Sequence, residues 1–303
     1  MRGGLARREA LEGYLFVAPW VVGLLAFTLF PVVAGFLMGF TEYQILLPPQ
    51  WIGLDNYQQI LTNDPQFWTA LYNTAYYVVL AVPSSMVVGL LLALLLNSKI
   101  WGIAFFRTAL YIPAIVPILA SVALWTWLFH DQFGLVNLFL TSWGIEGPHW
   151  FTSPAWTKPT LVLWNLWHVG AGTIIYLAGL QGIPLELYEA AEIDGADRWR
   201  RFWAVTIPML SPTILFVLII GIISSFQIFD AAFVMGWGYR TASAGPLDSL
   251  LFYVLYVYHN GFFFFRMGYA AALAWILFLI ILAFTLIQFW IAGRWVYYEV
   301  DRR

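Results

Sequence analysis

Six stretches of this chain are each long and apolar enough to cross a lipid bilayer, and nothing else in the sequence constrains the fold as strongly. They cover approximately residues 14–40, 69–96, 104–129, 160–180, 209–235 and 267–291. A helix needs about 20 apolar residues to traverse roughly 30 Å of hydrocarbon. There is no water there to bond the backbone, so only helices and closed barrels survive, and unbroken apolar runs of this length are the helical pattern. Mean hydropathy is +0.78 and only 10% of residues are charged, against about 25% in soluble domains. The expected fold is an all-α membrane protein with six transmembrane helices.

Basic residues in the loops set the orientation. Arg2, Arg7, Arg8, Lys99, Arg107, Arg198, Arg200, Arg201, Arg294, Arg302 and Arg303 fall on one side, and Lys158, Arg240 and Arg266 on the other. Both termini are therefore expected in the cytoplasm, in a multi-pass protein of the cytoplasmic membrane. The first apolar run is too long for a signal-peptide core and has no small-residue cleavage site after it, so it is expected to be a retained span. Pro19, Pro31, Pro83, Pro113 and Pro117 lie within spans. Neighbouring helices can satisfy the carbonyls that proline frees, so bent helices around a cavity are expected. No fixed-period repeat or linker divides the chain, which is expected to form a single membrane domain over residues 1–303.

Several chemistries are excluded. A net charge of −2 gives no reason to expect nucleic acid as a partner. Cysteine is absent, and the four histidines (His130, His149, His168, His259) show no ligand spacing, which argues against a metal site. A phosphate-binding loop needs a lysine after a glycine-rich turn. The two lysines, Lys99 and Lys158, follow no such turn. Any ATP and magnesium would belong to a separate ATPase subunit, and no cofactor is expected in this chain. Ion-coupled carriers keep ionisable groups at mid-membrane, whereas, apart from Arg107 at the edge of the third span, only His168 and Asp230 fall within spans. No nucleophile lies beside a base, so an enzyme is not expected.

Charge is concentrated in "YEAAEIDGADRWRRF", residues 188–202. Good helix formers predict a short helix over Leu185–Ile193, stopped at Gly195. Asp197 is placed to cap a second helix through Arg201 toward Pro208. Tyr188, Ala191, Phe202 and Trp203 give the pair a modest apolar face. The expected result is a compact helix–turn–helix in a cytoplasmic loop, residues 181–208. An amphipathic loop held by arginine and lipid phosphate is the plainer alternative.

This stretch closely resembles the "EAA" loop of permease subunits in binding-protein-dependent ATP-binding cassette importers. The matching elements are Glu189-Ala190-Ala191, Asp194-Gly195-Ala196, Phe202 and Ile207-Pro208, with isoleucine where the family has leucine. "WIGLDNYQQIL", "FWTALYNT", "LLALLLNSKIWGIAFFRTALYIPAIVP", "GLQGIPLELYEAA", "FDAAFVM" and "RMGYAAALAWILFLI" extend the likeness to the carbohydrate subfamily, resembling the maltose and glycerol-phosphate permease subunits. "GWGYRTASAGP", residues 236–246, is the weakest match. The resemblance implies a type I importer permease fold with a coupling helix between spans 4 and 5. Glu189 would anchor that helix on the ATPase, Ala190 and Ala191 would allow close approach, and Asp194-Gly195 would form its turn. It also implies a second permease subunit, two ATPase subunits, an extracytoplasmic solute-binding protein and alternating access.

Polar residues at mid-depth in the spans flanking this loop are the substrate-path candidates: Asn165 and His168 in the fourth, Ser224, Ser225, Gln227 and Asp230 in the fifth. Trp164 and Trp167 lie beside the first pair. A sugar needs hydrogen bonds to its hydroxyls and an aromatic surface for its C–H face. Most of the seventeen tryptophans are assigned instead to interfacial belts. Small-residue packing is the plainer role for the two serines, an interhelical bond for His168, and a helix brace for Asp230. The expected function is import of a di- or oligosaccharide or a glycerol-phosphate-like solute. The alternative is a self-sufficient secondary carrier or channel, which has no reason to carry an "EAA" loop.

Overall fold

The computed structural model describes residues 2–98, 101–236 and 244–297. Lys99, Arg240, Arg302 and Arg303 of the charge count, and most of the 236–246 turn, lie outside these residues. Two compact units emerge, each assembled from segments distant in sequence: residues 1–64 with 257–276, and 65–256 with 277–303.

The first unit opens with α1 (Arg2–Leu24), which passes through a π-turn at Leu25–Leu29 into α2 (Phe30–Met38). The π-turn has a local cause. Pro31 has no N–H, and its ring would press on the carbonyl four residues back. Widening the preceding turn, with Phe30 N–H reaching Leu25 O, relieves the clash without breaking the helix. A two-stranded hairpin follows, β1 (Thr41–Glu42) antiparallel to β2 (Gln50–Trp51). Next comes α3 (Asp55–Asn63). Buried Asn56 on α3 donates to Gly39 O and Thr41 O, both at 3.0 Å, and so fixes the hairpin.

The second unit begins with α4 (Pro65–Leu96), which carries Pro83 without a break. Then come α5 (Ile103–Ile115), α6 (Ile118–Leu128), α7 (Leu135–Ser142), α8 (Pro154–Trp167), α9 (Gly170–Gln181), α10 (Leu185–Ile193), α11 (Arg198–Arg201), α12 (Ile207–Phe226) and α13 (Asp230–Gly236). The chain ends its described part through α14 (Tyr253–Tyr258) and α15 (Met267–Trp295).

Four helical segments among the described residues are long and apolar enough to span: Glu9–Met38, Pro65–Leu96, Arg198–Gly236 and Met267–Trp295. Two further spans expected from the sequence are bent pairs. Over 104–129 the chain turns by 99° between α5 and α6. Pro117 causes this, because a residue before proline is pushed out of the helical region, and Val116 is extended at φ −63°, ψ 131°. Over 160–180, α8 and α9 meet at 47°. The fifth expected span also differs: it starts earlier, at Arg198, and its helix is interrupted at Gln227–Phe229.

The core of the second unit lies where α4, α9 and α12 meet. Ala93, Leu96, Tyr176, Leu177, Leu180 and Leu210 are buried there. Lipid is as apolar as leucine, so such packing depends on close van der Waals approach at small residues. A Cβ on Gly89 would sit 3.3 Å from Val169, and one on Gly179 would sit 2.7 Å from Leu210 and Thr213. At the far end of α4, Asn73 donates to Asp248 O (2.8 Å) and Leu251 O (3.1 Å) and accepts from Lys158 Nζ (2.9 Å). A buried amide with all three bonds made fixes the 248–253 segment against α4 and α8.

Candidate functional site

The 185–206 segment folds largely as its residues dictate. The helix α10 covers Leu185–Ile193, as the sequence predicts. It ends in a Schellman motif: Ala196 N–H bonds Ala191 O at 2.9 Å, and Gly195 N–H bonds Glu192 O at 3.0 Å. Gly195 takes φ +77° in open space, a conformation glycine adopts without strain. Asp197 then caps α11, its carboxylate accepting from Arg200 N–H at 2.7 Å. Glu192 and Arg201 form an ion pair at 2.8 Å. With the glutamate side chain 69% exposed, this pair contributes little to stability. Tyr188 and Thr206 share a hydrogen bond of 3.0 Å between their hydroxyls. Glu189, Ala190 and Asp194 are exposed and Ala191 is half-buried, so the "EAA" face is open to a partner.

One feature departs from the expected helix–turn–helix. The second helix is not a separate unit. From Arg198 it runs through a π-turn at Phe202–Thr206, with Ile207 N–H bonding Phe202 O, and on into α12. Pro208 is responsible, by the same widening that precedes Pro31. Trp199 and Trp203 stay exposed on this helix, at 69% and 54%, so the expected apolar face is only partly covered.

The six path candidates line two adjoining cavities. One, of about 180 Å³, is bounded by Ser85, Asn165, His168, Tyr176, Ser224 and Ser225 among others. The second, of about 260 Å³, is bounded by Tyr77, Trp164, Asn165, Ser224, Ser225, Gln227 and Asp230. Asn165, Ser224 and Ser225 line both. The fold brings these residues together because α8 and α12 both pack against α4. The helix break at Gln227–Phe229 places Asp230 in the first turn of α13 and on the cavity wall.

Hydrogen bonding separates the free groups from those already committed. Asn165 Nδ2 donates to Ser85 Oγ at 2.7 Å, and Gln227 Nε2 to Ile223 O at 3.2 Å. His168 is fully occupied. Its Nδ1 lies 2.9 Å from Trp164 O, which can only accept, so Nδ1 carries the proton. Its Nε2 accepts from Ser121 Oγ at 3.0 Å, and that hydroxyl accepts from Trp164 Nε1 at 2.9 Å. His168 thus faces the first cavity as a ring held from both sides. Trp164 is buried and lines the second cavity, whereas Trp167 packs at a tilt against Trp125 and lines neither.

Reading the fourth and fifth spans alone misses Ser85, Ser121 and Tyr77. The adjacent Ser84-Ser85 pair in the apolar run of α4, and lone Ser121 in α6, were the available signals. Each is a polar residue in hydrocarbon that must find a partner.

Residues 85–297 match the family model for the binding-protein-dependent transport system inner membrane component. A probable ABC transporter permease protein of Bacillus subtilis (strain 168), YesP, is 38% identical over 97% of this chain and 94% of its own length. The arabinooligosaccharides transport system permease protein AraP of the same organism is 35% identical over 92% of this chain and 88% of its own. Among solved structures, a bacterial alginate ABC transporter in complex with an alginate pentasaccharide-bound periplasmic protein superposes at a TM-score of 0.79. It is 26% identical and covers 95% of this chain and 96% of that one. The chain is therefore a member of the binding-protein-dependent transport system inner membrane component family, the permease subunits of ABC transporters.

Proposed function

We propose that this chain is the membrane-spanning subunit of an ATP-driven importer that takes up a sugar, either a di- or oligosaccharide or a glycerol-phosphate-like solute. Counting each bent pair as one span gives six crossings, with both termini and α10 in the cytoplasm and the whole chain acting as one domain of the cytoplasmic membrane. A solute-binding protein delivers cargo from outside. A second permease subunit completes the path, and two ATPase subunits supply ATP and magnesium. The sugar class is supported by the names of relatives such as the arabinooligosaccharide permease.

The observation that carries the coupling role is the exposed face of α10. Glu189 and Ala190 stand free on a helix stopped by a rigid turn and continuous, beyond that turn, with a cavity-lining span. Closure of the ATPases would push on α10 and rock the spans between inward-open and outward-open states. Small residues at the contact admit a close-fitting partner, and the single carboxylate of Glu189 gives it a charged anchor. In this reading Asn165, Ser224, Ser225, Gln227 and Asp230 meet the sugar, with His168 bracing the wall.

The test is Glu189→Arg in the assembled transporter, reconstituted with its ATPases and binding protein. ATP hydrolysis should lose its dependence on loaded binding protein, and uptake should fall at least about tenfold, the effect of reversing one charge at a contact. Coupled uptake at the wild-type rate would sink the proposal. A secondary carrier would show uptake without ATPase subunits.

A further inference from the structure

Among the described residues, the two adjoining cavities are lined by neutral polar groups and one carboxylate, with no lysine or arginine to balance it. With one amide N–H of Asn165 and one of Gln227 already committed, each side chain keeps its carbonyl oxygen unbonded. Asp230 adds a carboxylate, and Ser224 and Ser225 add hydroxyl oxygens. Against these acceptors stand one remaining N–H on each amide and the hydroxyl protons of the lining Ser85, Ser224, Ser225, Tyr77 and Tyr176. His168 offers nothing, because both of its nitrogens are used. Among the described residues lining either cavity, Asp230 is the one charged group, and neither lysine nor arginine is present.

Ligand chemistry follows from that lining. A neutral sugar brings many O–H donors, which acceptors satisfy. A uronate, sulfonate or phosphate brings further acceptors and a negative charge, which must leave water with no cation to meet it. Asp230 would repel that charge directly, and at intermediate dielectric two like charges several ångströms apart interact strongly. The fold alone does not impose this, since alginate, the cargo of the structurally similar importer, is a polymer of uronic acids.

We infer that this path selects neutral, hydroxyl-rich cargo and discriminates against anionic sugars, with Asp230 as the residue that discriminates by charge. The inference rests on the sugar-importer reading above and narrows it, setting aside the glycerol-phosphate-like solute. Room for cargo is consistent: about 180 and 260 Å³ accommodate one or two sugar rings in succession.

The test uses the assembled transporter in nanodiscs without its binding protein, so that only the membrane path is probed. Saturation-transfer NMR at pH 7 compares glucose with glucuronate, which share a ring and differ by one carboxylate. Glucuronate should bind at least about tenfold more weakly, the scale expected for one unfavourable charge contact. Asp230→Asn should close most of that gap, and Asp230→Glu should keep it. In the wild type, independently of any folding defect in a variant, raising salt from 20 to about 500 mM should narrow the gap by screening. Equal binding of the two sugars, or a gap indifferent to both Asp230→Asn and salt, overturns the inference and leaves the sugar path standing. Failure of both sugars to bind overturns the path itself.

Discussion

Gly195 tests whether the turn after α10 must be rigid for energy to pass through it. The residue sits at φ +77°, and a Cβ built there meets nothing within 4 Å. Replacing it therefore has no steric cost against neighbours, only the conformational cost of holding an L-residue in the left-handed region. That cost is roughly 1–2 kcal/mol for alanine, larger for a β-branched residue and smaller for asparagine, which tolerates the region. A penalty of one or two kcal/mol shifts a local equilibrium by a factor of about 5–30. The structure that opens is defined by two bonds, Ala196 N–H to Ala191 O and Gly195 N–H to Glu192 O. In reconstituted transporter, the number of ATP molecules hydrolysed per solute imported should rise in the order Gly, Asn, Ala, Val. Hydrogen exchange at Ala196 should rise in the same order. Valine behaving like glycine, or asparagine worse than valine, would refute the claim that backbone conformation at this turn sets coupling.

Two further outcomes follow from the packing. A Cβ on Gly170 would lie 2.1 Å from Leu110 O and 3.0 Å from Leu110 C; these are backbone atoms, so α9 must move off α5. Gly170→Ala should cost about 1–3 kcal/mol and lower the Tm of the purified protein measurably, whereas the open position Gly172 should tolerate alanine. Ser121→Ala removes the hydroxyl that joins Trp164 to His168 and leaves the buried Trp164 Nε1 unpaired, at about 1–3 kcal/mol. Its Tm should fall more than that of Thr126→Ala, whose hydroxyl only bonds its own helix.

Much of this molecule is legible in its residues because hydrocarbon permits so few solutions. The apolar runs locate the helices, and Leu185–Ile193, Gly195 and Asp197 occupy the places that helix propensity and capping predict. The corrections come from local proline steps and from contacts between helices. Apolar length says "span" over 104–129, but the Val116-Pro117 step turns that run by 99°. A charged loop followed by a proline reads as two short helices, whereas a π-turn lets the second continue into α12. Ser85 and Tyr77 entered the cavities through the contacts of α4 with α8 and α12, which no local periodicity encodes. His168 reads from sequence as a ligand or as a brace. The structure gives it two bond partners, Trp164 O and Ser121 Oγ, and a place on the cavity wall.

The turn at Phe202–Thr206 also sets a phase. Helical residues rise 1.5 Å and rotate by about 100° each, so from Arg198 to Ser224 the rod is roughly 40 Å long. An i→i+5 turn inserts one residue beyond the regular count. Everything after it is rotated by about one residue's worth of angle relative to everything before. The direction in which Arg201 meets Glu192 and the direction in which Ser224 and Ser225 face the cavities are therefore keyed to each other through Pro208. A twist applied at the charged end arrives at the polar end already indexed, as on a shaft whose two gears are cut at a fixed offset.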